Sequence, residues 1–218
     1  MDKLNCYEVG LDEWKKEFVK DGLKFIDAHQ RYEIIEDRFI PVMFFNRTYR
    51  VDLLTGNLLE EDGEKCQLQA MTQMMIFSHL KYIHRDAAAS GITKGISEID
   101  GLKYFSSKSM FSVFPAKEAL EKAFDENPDV IDIILERFNG VREEMGDISF
   151  SICAFKDVKY TYIYWKGDDE FASTLKTLYE VNILDFLHME AALLVGGIGT
   201  ELICQAIGAE YKKWSWEI

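Results

Sequence analysis

Ile148–Trp165 reads ISFSICAFKDVKYTYIYW. Phe150, Ile152 and Ala154 share one face of the first run, and Tyr160, Tyr162 and Tyr164 share one face of the second. That two-residue alternation is the period of a strand with one face in a core. The polar pair Lys156-Asp157 separates the runs, so Ile148–Phe155 and Val158–Trp165 predict an antiparallel hairpin turning near Asp157.

Outward from this hairpin, helix and strand periods follow one another without regular β-α repetition. Leu11, Trp14, Phe18, Val19, Leu23 and Ile26 recur at three- and four-residue steps and predict a helix over residues 11–29. Phe39–Phe45 and Thr48–Leu53 are strand-like runs either side of Asn46-Arg47, with a second turn at Thr55-Gly56-Asn57. Residues 66–86 are apolar around most of a helix circumference, with Met71, Met74, Met75, Phe77 and Leu80 among them. Such a helix belongs at the centre of a fold, and Gly91 is its expected left-handed cap. Short strands are expected at Gly95–Ile99 and Leu102–Phe105, joined by Asp100-Gly101. Pro115 and Pro128 each open a helix, to about Asp125 and Phe138. From about Ala172 the chain reads as helix to Ala209, broken near Gly196-Gly197. The fold class is α+β: antiparallel hairpins packed around a buried apolar central helix with further helices, in one domain spanning residues 1–218.

Composition narrows the function classes. With 218 residues, 48% of them hydrophobic, the chain can bury about 70% of its unfolded surface in one core. Twenty-five basic residues face 38 acidic ones, a net charge of −13, and this opposes binding to a phosphate backbone. No nucleic-acid partner is therefore expected. No apolar run follows Met1, and the runs at Met74–Phe77 and Ala191–Val195 fall short of a membrane span, so the expectation is a cytoplasmic protein without a membrane partner. Cys6, Cys66, Cys153 and Cys204 lie too far apart for a zinc or iron–sulfur motif and read as reduced thiols.

Candidate chemistry is sparse. Gly196-Gly197-Ile198-Gly199-Thr200 looks like part of a dinucleotide fingerprint, but only 19 residues follow Gly199, too few for the strand and acid which that unit requires. A helix break or a close contact explains the glycines instead. His79 and His84 lie five apart on the apolar helix and point about 140° apart, so they are not joint ligands. A histidine on that helix is expected to be buried and bonded to a carbonyl. The acidic run Gly167-Asp168-Asp169-Glu170-Phe171 lies after a strand and before an expected helix. There a carboxylate caps the helix, or Asp168, Asp169 and Glu170 hold a hard cation with His188 or His79 completing the site. Asp185 and His188, three apart, share a helix face and add to that candidate. No motif of a nucleophilic enzyme is present, and the sequence does not identify a cofactor.

Gly167–Phe171, Leu178-Tyr179-Glu180 and Phe186-Leu187-His188-Met189-Glu190, with His79-Leu80 and Gly95–Glu98 upstream, resemble the signature segments of domain-of-unknown-function family 3786 over roughly residues 30–195. The resemblance implies a bacterial or archaeal protein, largely of anaerobes, in a family without an assigned activity, some of whose members carry a cysteine-rich iron–sulfur segment. Ala172 stands where the family tends to have proline, and Glu190-Ala191 where it tends to pair two acids. Three functional expectations follow. One is a non-enzymatic accessory or binding protein for redox or cofactor-handling systems. Another is a metal-assisted hydrolase or transferase built on Asp168–Glu170. The third is an oligomer subunit held through the aromatic hairpin and Trp214/Trp216.

Overall fold

The computed structural model describes residues 6–29, 31–103 and 115–211. In chain order the elements are α1 (Cys6–His29), β1 (Phe39–Phe44), β2 (Arg47–Asp52), β3 (Leu58–Glu60), α2 (Ala70–Tyr82), β4 (Thr93–Lys94), α3 (Pro115–Glu126), α4 (Val130–Phe138), β5 (Val141–Arg142), β6 (Ile148–Phe155), β7 (Val158–Trp165), β8 (Thr174–Glu180) and α5 (Met189–Ile207). The strands form two antiparallel sheets, ordered β1-β2-β3 and β4-β8-β7-β6-β5. The fold is α+β, as the periods indicate.

The β6–β7 hairpin has the predicted bounds. Phe155 faces Val158 across the Lys156-Asp157 turn, with one register shift between Cys153 and Phe155. Its aromatic face is closed: Tyr160 and Tyr162 are fully buried, Tyr164 nearly so, and Phe150 stacks on Tyr162 at 5.0 Å. That face is therefore not free to hold a second copy.

The first hairpin turns one residue earlier than the sequence reading places it. Phe44 pairs with Arg47, so the two turn residues are Phe45 and Asn46, with φ of 46° and 61°. A two-residue hairpin turn with both residues left-handed matches strand twist; Asn accepts that conformation readily, a bulky Phe does not. Holding Phe45 there costs on the order of 1–3 kcal/mol. Burial of the ring offsets it: Phe45 is 3% exposed and packs edge-on to Phe44 at 4.8 Å. Its N–H donates to the Ala154 carbonyl at 2.9 Å and so ties the first sheet to the second.

The helix expected over 66–86 is shorter, Ala70–Tyr82, because Ile83 turns extended at ψ 128°. Gly91 does have a positive φ of 70°, but it lies in the loop before β4 rather than at the helix end. α2 is buried through Met75–Leu80, yet the centre of the fold is α5. α2, α3 and α4 all pack against α5, and α1 covers α2. The expected strand at Gly95–Ile99 is instead a 3-10 turn at Ile96–Glu98, with Glu98 accepting the Gly95 N–H at 3.0 Å. Leu102 and Lys103 lie in a turn, and Tyr104-Phe105 lie outside the described residues.

Two further corrections concern the C-terminal part. Thr174–Glu180 is a strand, not a helix, and pairs with β7 from Thr174 to Tyr179. Leu175, Leu178 and Tyr179 sit at helical spacing, but Leu175 and Tyr179 fall opposite Tyr164 and Tyr160, so pairing with the neighbouring strand overrides the local period. α5 then runs unbroken through Gly196-Gly197. Its glycines are contact points. A Cβ on Gly196 would lie 3.1 Å from the Tyr160 ring and 3.2 Å from the Tyr179 hydroxyl, and one on Gly199 would lie 2.8 Å from the Phe45 ring. Tyr160 donates to the Ala192 carbonyl at 2.8 Å. The apolar run at Ala191–Val195 thus belongs to a 19-residue helix, long and apolar enough to cross a membrane by length and composition, and 61% of its 18-residue apolar stretch is buried within the protein, as in a core helix.

Gly199→Ala is expected to lower the midpoint of urea unfolding. Overpacking costs about 1–3 kcal/mol and exceeds the helix-propensity gain of about 1 kcal/mol. Leu80→Ala, at a site 1% exposed, is expected to cost about 2–5 kcal/mol in the same measurement.

Candidate functional site

Of the segments that resemble the family signature, His79-Leu80 and Phe186–Glu190 meet, at the end of the second sheet where the β6–β7 turn lies. His79 faces inward from α2 and is 3% exposed. Its ring stacks on Phe155, 3.9 Å between centroids. Nδ1 lies 3.1 Å from the Phe186 carbonyl oxygen, which only accepts, so Nδ1 carries the proton. Nε2 is then the acceptor for the Tyr32 hydroxyl at 2.6 Å. Burial pushes the imidazole down to about 3, against a weaker opposing effect of the Phe186 carbonyl. The expectation of a buried histidine bonded to a carbonyl is met.

Arg31 and Asp157 frame this pair. The Arg31 guanidinium bonds Asp157 at 2.8 Å and donates to the Arg85 carbonyl at 3.2 Å and to the Ala87 carbonyl. Burial raises the Tyr32 hydroxyl above its ordinary value. Together with Ile83 and Lys156 these side chains line a recess of about 150 Å³. Beside it, the buried Glu180 accepts from the Ser90 hydroxyl at 2.6 Å and the Gly91 N–H at 3.0 Å, fastening the loop after α2 to β8.

His188 is the residue just before α5; it makes no cap bond, and its ring lies 5.2 Å from Tyr82. Asp185 lies in a separate 3-10 turn and so shares no helix face with His188. It meets His84 instead, at 3.5 Å.

The acidic run is elsewhere. Asp168, Asp169 and Glu170 lie in the exposed loop between β7 and β8, so the junction is strand to strand, not strand to helix. Asp168 Oδ1 accepts the N–H groups of Glu170 at 2.9 Å and Phe171 at 2.8 Å. These are the bonds foreseen for a cap, made here within a turn, and they hold the carboxyl below its ordinary value. The eight residues of β7 separate this loop from Asp157, on the order of 25 Å at a strand's rise. The acids are therefore not brought together with His79. Among the described residues, no group of three or more His, Cys, Asp or Glu side chains is placed to hold a metal. Cys66, Cys153 and Cys204 form no disulfide; burial raises Cys66 to about 11 and Cys204 to about 12.

The chain belongs to the family described as Domain of unknown function (DUF3786). The family model matches residues 26–201, a span containing every residue of the recess. No curated protein and no solved structure matches the chain. For this DUF3786 chain the sequence reading named His79 among its candidates and did not name Arg31, Tyr32 or Asp157 as site residues. Arg31 and Asp157 are 126 positions apart, and nothing local links them; the available signal was the charged pair Lys156-Asp157 at the hairpin turn.

A depressed histidine makes stability depend on pH. The unfolded chain binds the proton near 6.5 and the folded one near 3, so this contribution is complete above about pH 6.5 and is lost as pH falls towards 3. Unfolding free energy is expected to fall by up to about 1.4 kcal/mol per pH unit in that window. His79→Gln is expected to flatten the slope in urea titrations at stepped pH; an unchanged slope would place the effect elsewhere.

Proposed function

We propose that this DUF3786 protein is a non-enzymatic accessory or binding protein, single-domain and cytoplasmic, that serves redox or cofactor-handling systems and acts on a protein or small-molecule partner. The observation that supports this most is the mutual engagement of its reactive side chains. His79 has both nitrogens occupied and stays neutral, and Arg31 is paired with Asp157. Asp168 is bonded to its own loop. A general base must be able to take a proton near neutral pH, and a metal site must aim several ligands at one point. The redox or cofactor-handling context rests on the family resemblance, and a partner other than nucleic acid on the net charge of −13.

The rival hydrolase or transferase requires Asp168, Asp169 and Glu170 to share an ion with His188 or His79 at about 2.0–2.6 Å. Elemental analysis and mass spectrometry of the purified protein, with phosphoester and carboxylester hydrolysis assays, separate the two. The triple variant Asp168→Ala, Asp169→Ala, Glu170→Ala is expected to match the wild type in bound metal, with neither protein turning over substrate. Metal-dependent turnover that the triple variant abolishes would replace the binding reading with the enzymatic one.

A further inference from the structure

We propose that the seam between the β1–β2 turn, the end of α4 and the second half of α5 is a binding pocket for a small organic monocarboxylate with an aromatic or branched aliphatic body. The proposal rests on the binding-protein reading and names a site and a ligand class for it. The pocket has a volume of about 340 Å³, within the roughly 300–1,000 Å³ of small-molecule sites. Its floor is aromatic, with Phe45 and Phe138 edge-on at 6.4 Å, and Leu202 and Ala206 of α5 form one wall.

Two cations stand at the mouth, Arg47 and Arg137. The Asn46 side chain donates to the Arg137 carbonyl at 3.1 Å, which draws the turn carrying Arg47 onto the end of α4 carrying Arg137. Elsewhere arginines find carboxylates: Arg31 with Asp157, Arg38 with Asp52, Arg50 with Glu36, Arg142 with Asp132. Among the described residues no carboxylate forms an ion pair with Arg47 or Arg137. In a chain with 38 acids against 25 bases, two guanidinium groups without a carboxylate partner, over a cavity of mixed aromatic and polar lining, complement an anion with an apolar body.

The wall itself carries a second sign. Phe45 is held left-handed at φ 46°, and α5 has no side chain at Gly199 where its ring would otherwise be struck. Backbone strain kept by its surroundings concentrates at ligand-binding positions. Charge selection follows from the neighbours. Glu60, Glu61 and Asp62 border the shallower depression on the other side of Arg47, so a single negative charge is accepted and a dianion is repelled.

The test uses phenylacetate, its neutral counterpart phenylacetamide and the dianion phenyl phosphate, each titrated into the full chain and followed by amide resonances of Phe45, Leu202 and Ala206. Saturable shifts are expected at these residues with phenylacetate, with affinity at least tenfold weaker for the other two. The surface double variant Arg47→Gln, Arg137→Gln is expected to lose at least tenfold, and Leu202→Trp to abolish the shifts while circular dichroism stays native. Equal binding of phenylacetamide, an unaffected arginine double variant, or shifts confined to the Tyr32–His79 recess would overturn the proposal. Those outcomes leave the binding-protein reading to its own metal and turnover assays, whereas metal-dependent turnover would remove that reading without moving these shifts.

Discussion

The structure depends on how closely α5 approaches the tyrosine row of β7 and β8. Ala192, Gly196 and Gly199 leave that side of the helix bare, and the rings of Tyr160, Tyr162 and Tyr179 lie against it. Each large ring brings a hydroxyl into the interior that must be satisfied. Tyr160 donates to the Ala192 carbonyl and Tyr162 to the Gly196 carbonyl, so helix and sheet are joined by polar contacts as well as by apolar area. Those helix carbonyls are within reach only where no Cβ intervenes. With α5 held against the sheet, α2, α3 and α4 have a surface to cover, and Phe45 has the gap it needs at Gly199.

The His79 recess follows from the same arrangement. α2 delivers the imidazole to the end of the sheet, the β6–β7 turn delivers Asp157, and the segment just before α5 delivers the Phe186 carbonyl. Buried polar groups in a low-dielectric interior must satisfy one another, and here they do so with little capacity left over. Such a cluster fixes the relative position of four chain segments and resists proton exchange near neutral pH. Its partners are charge-matched at the rim, where Arg31 meets Asp157, and neutral at the centre, where Tyr32 meets His79. The cavity lined by Arg47 and Arg137 is the opposite case, with aromatic and polar walls and two cations that form no ion pair with a carboxylate among the described residues.

Much of the architecture was legible from residue order. The β6–β7 hairpin, the first hairpin, the helices opened by Pro115 and near Pro128, and the α+β class all follow from local periods and punctuation. The burial of His79 followed from the helix that carries it. The bonds of Asp168 also followed, because an Asp side chain reaches backbone two or three residues on, whatever element comes next.

Long-range pairing decided the rest. Thr174–Glu180 satisfies a helical and a strand period alike, and only the free edge of β7 selects the strand. That choice turned the acidic run into a strand-to-strand loop and separated it from both histidines. The glycines of α5 read as a break because a helix rarely tolerates them, but contact with Tyr160, Tyr179 and Phe45 makes them obligatory. Local sequence determined which stretches could be helix or strand and which faces were apolar, since those properties live within a few residues. Tertiary structure decided which helix became the centre and which polar groups met, because Arg31 and Asp157, like Arg47 and Arg137, become neighbours only when the chain between them has folded.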